Sequence, residues 1–339
     1  MKALFVDEAR RPVLREVPVP RIGPGELLVR MKACGICGTD LEKLRGWSLT
    51  PVQLGHEVAG EVEQVGEGAS DLRPGTRVVV HHHVSCGACY YCLHDQPTLC
   101  ELFPKSNLDP GGFSEFFRVP KMNVERGGVL PLPSGLTYEE GALVEPLACC
   151  IRALRRFNYR SPMSVAVFGA GPMGLLFVKL LLNLGAGPLL VFDVRERRLQ
   201  AAKDMGVDIA ASPLREDPSE LSRRATEGRG VDLAIVATSS IQAAQQALRA
   251  LRKGGTLGIF GAPEAAPLLL NLQDLFIGEV SIAASYSTSE AEMRAALTLL
   301  SGRRLVVSDL VTHRFPLSEA VEAFRVAEQG EGLKVMVLG

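Results

Sequence analysis

Apolar and polar positions change rhythm twice along the chain. Through residues 1–145, short apolar runs such as "ELLVRMKAC", "GHEVAGEVEQVG" and "TRVVVHHHV" are separated by turn signals, among them Gly23-Pro24-Gly25 and Arg73-Pro74-Gly75. Short runs bounded by glycine and proline predict strands, so this part reads as β-rich. From about residue 160 the texture alternates. "SVAVFGAG" is an apolar run ending in glycines, and the long apolar helix candidate "LLFVKLLLNLGA" follows. "PLLVFD" predicts the next strand. "RERRLQAAKDMG" predicts the next helix, with Leu199, Ala202 and Met205 on one face and Gly206 as its stop. "VDLAIVAT", a helix over "IQAAQQALRALRKGG", then "TLGIFGA" and "SIAASYS" continue the pattern. Strands alternating with helices predict parallel βαβ units. From about residue 290 come a helix, "EAEMRAALTLLSG", the strand-like "LVTHRFP", another helix and a last strand, "KVMVLG". No internal repeat or low-complexity segment interrupts this order.

Length and charge bound what such a chain can do. At 339 residues, two domains are expected. The formal net charge is -1, so no broad basic field exists to attract nucleic acid or an anionic membrane. The N-terminal "MKALFVDEARRPVLREV" has no apolar core of signal-peptide length, and "LLFVKLLLNLGA" is broken by Lys179 and Asn183. A cytoplasmic protein is expected. Thiols stay reduced there, and clustered cysteines point to metal rather than disulfides.

"VAVFGAGPMG" sets Gly169, Gly171 and Gly174 in a GxGxxG pattern between a strand and a helix. That context is what makes the pattern informative. Gly169 permits the tight turn, Gly171 lets a pyrophosphate approach the backbone, and Gly174 lets helix and strand pack closely. Asp193 ends the next strand, where a carboxylate receives the adenosine ribose hydroxyls and repels a 2′-phosphate. NAD is therefore favoured, with Arg195, Arg197 and Arg198 keeping NADP open. The expected cofactor contacts are Gly169, Gly171, Pro172, Met173, Gly174, Asp193, Arg198 and Ser285.

The stretch "SCGACYYCLHDQPTLC" brings Cys86, Cys89, Cys92 and Cys100 close in sequence. Four thiolates close a tetrahedral structural zinc site and leave no position for substrate. An iron–sulfur cluster also uses thiolates and stays open as an alternative, as do free buried cysteines. Chemistry is expected elsewhere. Cys37 in "ACGICGTDLEKL", His56 and Glu57 in "LGHEVAGEV", and Glu145 in "ALVEPLACC" are candidate ligands, but spacing alone does not connect them.

Three features, "CGICGTD", the "GHExxGxVxxVGxGxxxxxxGxRV" pattern from Gly55 to Val78, and the four-cysteine lobe, resemble the zinc-dependent medium-chain alcohol and polyol dehydrogenases. The resemblance spans nearly the whole chain. It implies an α/β protein: a GroES-like β-rich catalytic domain (1–148, with a structural zinc lobe at 86–100), a doubly wound Rossmann domain (149–289), and a return to the first domain (290–339). It further implies a catalytic zinc on Cys37 and His56, with Glu57 and Glu145 as further ligands that trade places with water, and a structural zinc on Cys86, Cys89, Cys92 and Cys100. A glutamate at 145 resembles the sorbitol, threonine and sugar dehydrogenase branch. Asp40 is similar to the carboxylate that orients the ligating histidine, and Thr39 to the hydroxyl that contacts the alcohol. Where many relatives carry a histidine that relays the proton to solvent, this chain has Glu42. An ordinary glutamate is a poorer base at neutral pH, so Glu42 is either the end of that relay or a solvated helix residue. Trp47 and Phe113 fall where this family lines its substrate pocket and serve equally as packing. Tyr286 replaces an arginine usual in sorbitol-type enzymes. Cys34, Cys149 and Cys150 read as core, and the internal His81-His82-His83 run as a strand end, with contact to a ligand as the alternative.

The implied reaction is reversible oxidation of a secondary alcohol, polyol or sugar-like, to a ketone, with hydride passed to NAD and Thr39, Glu42 and Glu145 as the catalytic residues. A homotetramer or homodimer joined through the Rossmann sheet edge is expected. The nearest alternative is an L-threonine 3-dehydrogenase. From other classes come a zinc-stabilised nucleic-acid-binding module and a nucleotide-sensing relative without catalysis. The near-zero charge argues against the first, and intact Cys37, His56 and Glu145 against the second.

Overall fold

A computed structural model describes residues 1–46, 53–69, 71–262 and 266–339. Two compact units divide the chain: Met1–Ala148 with Thr288–Gly339, and Cys149–Ser287.

In the first unit one long strand, Leu27–Gly35, organises a mixed sheet. It pairs antiparallel with Glu57–Val65 on one side and Lys334–Leu338 on the other, and Phe116–Val119 also joins it. Arg77–Val80 and Val129–Pro131 extend the sheet beyond Glu57–Val65, and Val311–Pro316 lies outside Lys334–Leu338. Apolar residues of these strands, among them Leu27, Val29, Met31, Val58, Val62, Val78 and Val80, form one core with Phe113, Phe117 and Phe324. Burial of such surface is what holds the sheet together.

Register decides what collects at one end of this sheet. Gly35 is opposite Glu57, Val58 is opposite Val80, and Met336 is opposite Gly35. Ile36 N–H donates to Val335 C=O at 3.0 Å. Continuing the same antiparallel register past the strand ends sets His56 across from His82 and Lys334 across from Cys37. Residues far apart in sequence thus meet at one end of the sheet.

The second unit is a six-stranded sheet in which every pairing is parallel. From edge to edge run Ile209–Ala211, Leu189–Phe192, Val165–Phe168, Val231–Val236, Leu251–Ile259 and Ser281–Ala284. Numbered along the chain this is the order 3-2-1-4-5-6, which reverses between the first and fourth strands, the point at whose carboxyl ends such sheets bind ligands. Strands covered on both faces must be apolar throughout, and Val165–Phe168 and Leu189–Phe192 are buried at every position.

The helix expected over 241–255 stops at Ala250, and the strand begins at once with Leu251. Leu251 pairs with Val231, and a register shift follows before Thr256 pairs with Leu233. Gly254, at φ 72°, supplies the left-handed backbone in between. Tertiary pairing overrode the helical preference of "LRALRK". No helix among the described residues is long and apolar enough to cross a membrane.

Candidate active site and zinc lobe

Cys37 ends the turn after Leu27–Gly35 and caps the short helix Gly38–Leu44. Asp40, on that helix, is completely buried and ties two segments together. Its carboxylate accepts from Cys37 N–H at 3.1 Å and from Gly55 N–H at 3.1 Å, and lies 3.4 Å from His56 Nδ1. Burial would raise the Asp40 pKa, but neighbouring His56, Lys43 and the Gly55 N–H outweigh it and hold the carboxyl at about 2. His56 Nε2 points the other way, 3.3 Å from Thr39 Oγ1, and Thr39 donates to Cys37 Sγ at 2.9 Å.

Glu57 starts its strand fully buried. One carboxylate oxygen accepts from Lys334 Nζ, itself buried and also donating to Ile36 C=O at 3.1 Å. The other, Oε1, is enclosed and has no hydrogen-bond partner among the described residues. Gly35 makes room: a Cβ there would lie 2.2 Å from Glu57 Oε2. Ligand atoms of Cys37, His56 and Glu57 lie within 4.8 Å of one another. A thiolate, an imidazole and a carboxylate are a donor set that zinc takes, and a buried carboxylate oxygen without a donor is what a cation would satisfy.

Glu145, on the helix Val144–Arg156, falls in an adjoining group. Its carboxylate lies within 4.8 Å of ring nitrogens of His81 and His82. The two groups abut where the His56 and His82 rings stand 4.9 Å apart. Burial pushes the His81 pKa down to about 3, the neighbouring imidazoles adding to it, so this ring is neutral at ordinary pH. Glu42 projects from its helix to Arg45, at 2.9 Å. Phe113 is a core residue packed edge-on against Phe324, whereas Trp47 lies outside the described residues.

Two further residues reach the site, Lys334 and His82. Lys334 looks like any charged residue at a strand start. His82 sits in a histidine run whose pattern predicts a strand end. Only strand register brings either to the site, and no local motif signals it.

The cysteine lobe is built from local hydrogen bonds. Cys86, Cys89, Cys92 and Cys100 offer sulfurs within 4.8 Å of one another. Ala88 and Cys89 N–H groups donate to Cys86 Sγ at 3.4 and 3.3 Å, and Cys86 N–H to Cys100 Sγ at 3.4 Å. The bonds from Ala88 and Cys89 lower the Cys86 pKa to about 6, favouring the thiolate that binds metal. Cys92→Ser is expected to remove one zinc equivalent per chain and to lower Tm by roughly 5 °C or more, while turnover per folded chain partly survives. Metal analysis and a thermal melt read this out; full zinc content in the variant would contradict it.

In the second unit, Gly169 adopts φ 99° directly after Val165–Phe168. A Cβ on Gly174 would sit 1.8 Å from Gly169 C=O, so only glycine packs there. Gly171 differs. A Cβ on it would meet only Arg198, at 3.7 Å. The fold does not demand glycine at this position, which suits the close approach of a ligand instead. Gly171 caps the helix Pro172–Asn183 without any side-chain cap, leaving first-turn N–H groups for an anion. Asp193 accepts from Ala170 N–H at 2.7 Å and Arg195 N–H at 2.8 Å, and Arg198 lies 3.8 Å away. Its carboxylate is thereby held beside the glycine turn. Ser285 follows the last strand, its Oγ enclosed and without a partner among the described residues.

Family models match two stretches: an alcohol dehydrogenase GroES-like domain over residues 23–133 and a zinc-binding dehydrogenase over 172–302. Sorbitol dehydrogenase of Mus musculus is 34% identical over 336 residues, covering 96% of this chain and 92% of that protein. Among solved structures, alcohol dehydrogenase TADH from Thermus sp. ATN1 is 31% identical with a TM-score of 0.90, covering 100% of this chain and 99% of that one. 2R,3R-butanediol dehydrogenase from Bacillus subtilis is 27% identical with a TM-score of 0.86, covering 100% and 99%.

Proposed function

The chain belongs to the zinc-dependent medium-chain dehydrogenases, and on that premise we propose that it oxidises a polyol or sugar-like secondary alcohol to a ketone, with NAD as hydride acceptor. The observation that carries this is the convergence of Cys37, His56 and Glu57, with Glu57 Oε1 enclosed and without a partner among the described residues. Cys37, His56 and Glu57 would hold the catalytic zinc, with Glu145 adjoining, and Cys86, Cys89, Cys92 and Cys100 the structural one. Zinc, when bound, supplies a positive charge that lowers the pKa of an alcohol, and NAD supplies the hydride acceptor.

The chain's own residues do the rest. Asp40 orients His56 through its Nδ1 side. Thr39 stands between Cys37 and His56 and takes the hydrogen bond of the substrate hydroxyl, the first step in moving its proton away. Glu42 is a candidate for the end of that path, in competition with its pairing to Arg45. The bare N-terminus of Pro172–Asn183 receives the pyrophosphate, and Asp193 the ribose hydroxyls.

Sorbitol dehydrogenases matched over 96–99% of this chain support a polyol over L-threonine. A screen of NAD reduction across polyols, aldoses, L-threonine and simple secondary alcohols tests the reading. Turnover is expected with polyols; no reduction with any alcohol would overturn it. Cofactor choice is tested apart. Asp193→Ala is expected to lower kcat/KM for NAD by about 10- to 100-fold, the worth of a charged hydrogen bond, and to lose less with NADP. Equal losses with both cofactors would remove Asp193 from cofactor selection.

Oligomerisation through the Rossmann sheet edge is part of the same proposal. Ser281–Ala284 is an edge strand, and Phe276, Leu272 and Ile277 beside it in sequence are exposed. An uncovered edge with apolar neighbours favours pairing with a second copy. Sedimentation equilibrium measures it.

A further inference from the structure

His82 has a place in the site that the proposed reaction does not use. The strand Arg77–Val80 ends just before it. The backbone there is pinned: His81 N–H donates to Gly128 C=O at 2.7 Å, and Asn123 Nδ2 donates to the carbonyls of His81 and His82 at 3.1 and 2.9 Å. The rings form a row. His82 stands 4.9 Å from His56 on one side and 4.0 Å from His83 on the other. His83 Nδ1 donates to Ser106 C=O, which fixes its tautomer and its position.

The His82 ring has no hydrogen bond among the described residues, and its Nδ1 is enclosed. The residue as a whole is only half-buried. An imidazole held rigidly, beside the candidate metal centre, with unmet hydrogen-bonding capacity, is not explained by packing. Burying a polar atom without a partner costs free energy that a ligand can return.

We infer that His82 is a hydroxyl-recognition subsite, taking the hydroxyl adjacent to the one oxidised in a vicinal diol. The inference rests on the dehydrogenase reading above and narrows its substrate class. An imidazole offers one donor and one acceptor, and a hydroxyl is both, so the two match without any charge. A neutral ring offers no counter-charge to a carboxylate. A carboxylate oxygen of Glu145 lies within 4.8 Å of a His82 ring nitrogen. A second cation held by His81, His82 and Glu145 is the rival use of the same atoms.

The test compares 2,3-butanediol with 2-butanol, which differ by one hydroxyl, in wild type, His82→Phe and His82→Asn. Wild type is expected to prefer the diol. In His82→Phe the diol-to-monoalcohol ratio of kcat/KM should fall about 10- to 100-fold, since one substrate hydrogen bond is lost. His82→Asn, which keeps a donor and an acceptor, should restore part of the ratio. Equal losses with both alcohols, or no diol preference in wild type, overturn the subsite. So does a metal equivalent, measured per chain, that disappears in His82→Phe, which would make this a cation site. If wild type oxidises 2-butanol as well as the diol, only the subsite fails. If it oxidises no alcohol at all, the dehydrogenase reading fails with it.

Discussion

Replacing Lys334 by methionine is expected to destabilise the protein by about 3–5 kcal/mol, because it leaves Glu57 as a buried charge without its partner. Glu57 and Lys334 are both almost wholly buried and bonded to each other. Burial alone would lower the Lys334 pKa, and the Glu57 charge outweighs it, so the ammonium is retained. Lys334→Met with Glu57→Gln removes both charges and should regain most of the loss, as paired removal of buried charges generally does. Urea unfolding of the full chain measures this, and the deficit of the single variant should be largest after metal is stripped, when no cation is left to share the Glu57 charge. A single variant as stable as wild type would mean that Glu57 relies on some other group.

The second large effect is expected at His56. His56→Ala should remove the metal of the Cys37–His56–Glu57 group and lower kcat/KM by about 10³-fold or more, since a bound metal contributes several kcal/mol of charge stabilisation. Asp40→Asn, which keeps the ligand but disturbs its orientation, should cost about 10- to 100-fold. The two are read by metal content and by NADH absorbance. Retention of both metal and turnover in His56→Ala would place the chemistry somewhere other than this sheet end.

Some of this was legible from the sequence because its physics is local. Gly169, Gly171 and Gly174 stand within six positions of one another, and the turn they make depends on their own backbone and the strand before them. Cys86, Cys89 and Cys92 are three apart, so a few backbone N–H bonds suffice to gather them. Alternating apolar runs announced the parallel sheet, since strands covered on both faces must be apolar. Where a residue's state depended on a remote strand, local propensity misled: Leu251–Gly255 reads as helix and pairs as strand, because Val231 offers it a ladder.

The site itself was half legible. Cys37, His56 and Glu57 were named through resemblance to a family, not through any spacing that would unite them. What unites them is antiparallel register. Glu57 is opposite Gly35, Val58 opposite Val80 and Met336 opposite Gly35, so the same end of the sheet receives Cys37, His56, His82 and Lys334. Sequence determined the chemistry available to each strand and the turns that end it. Only the tertiary structure decided that Lys334 faces Glu57 across 277 residues of chain and that His82 lies beside His56. A pairing register is set by the summed burial of whole strands, and no short stretch of sequence contains it.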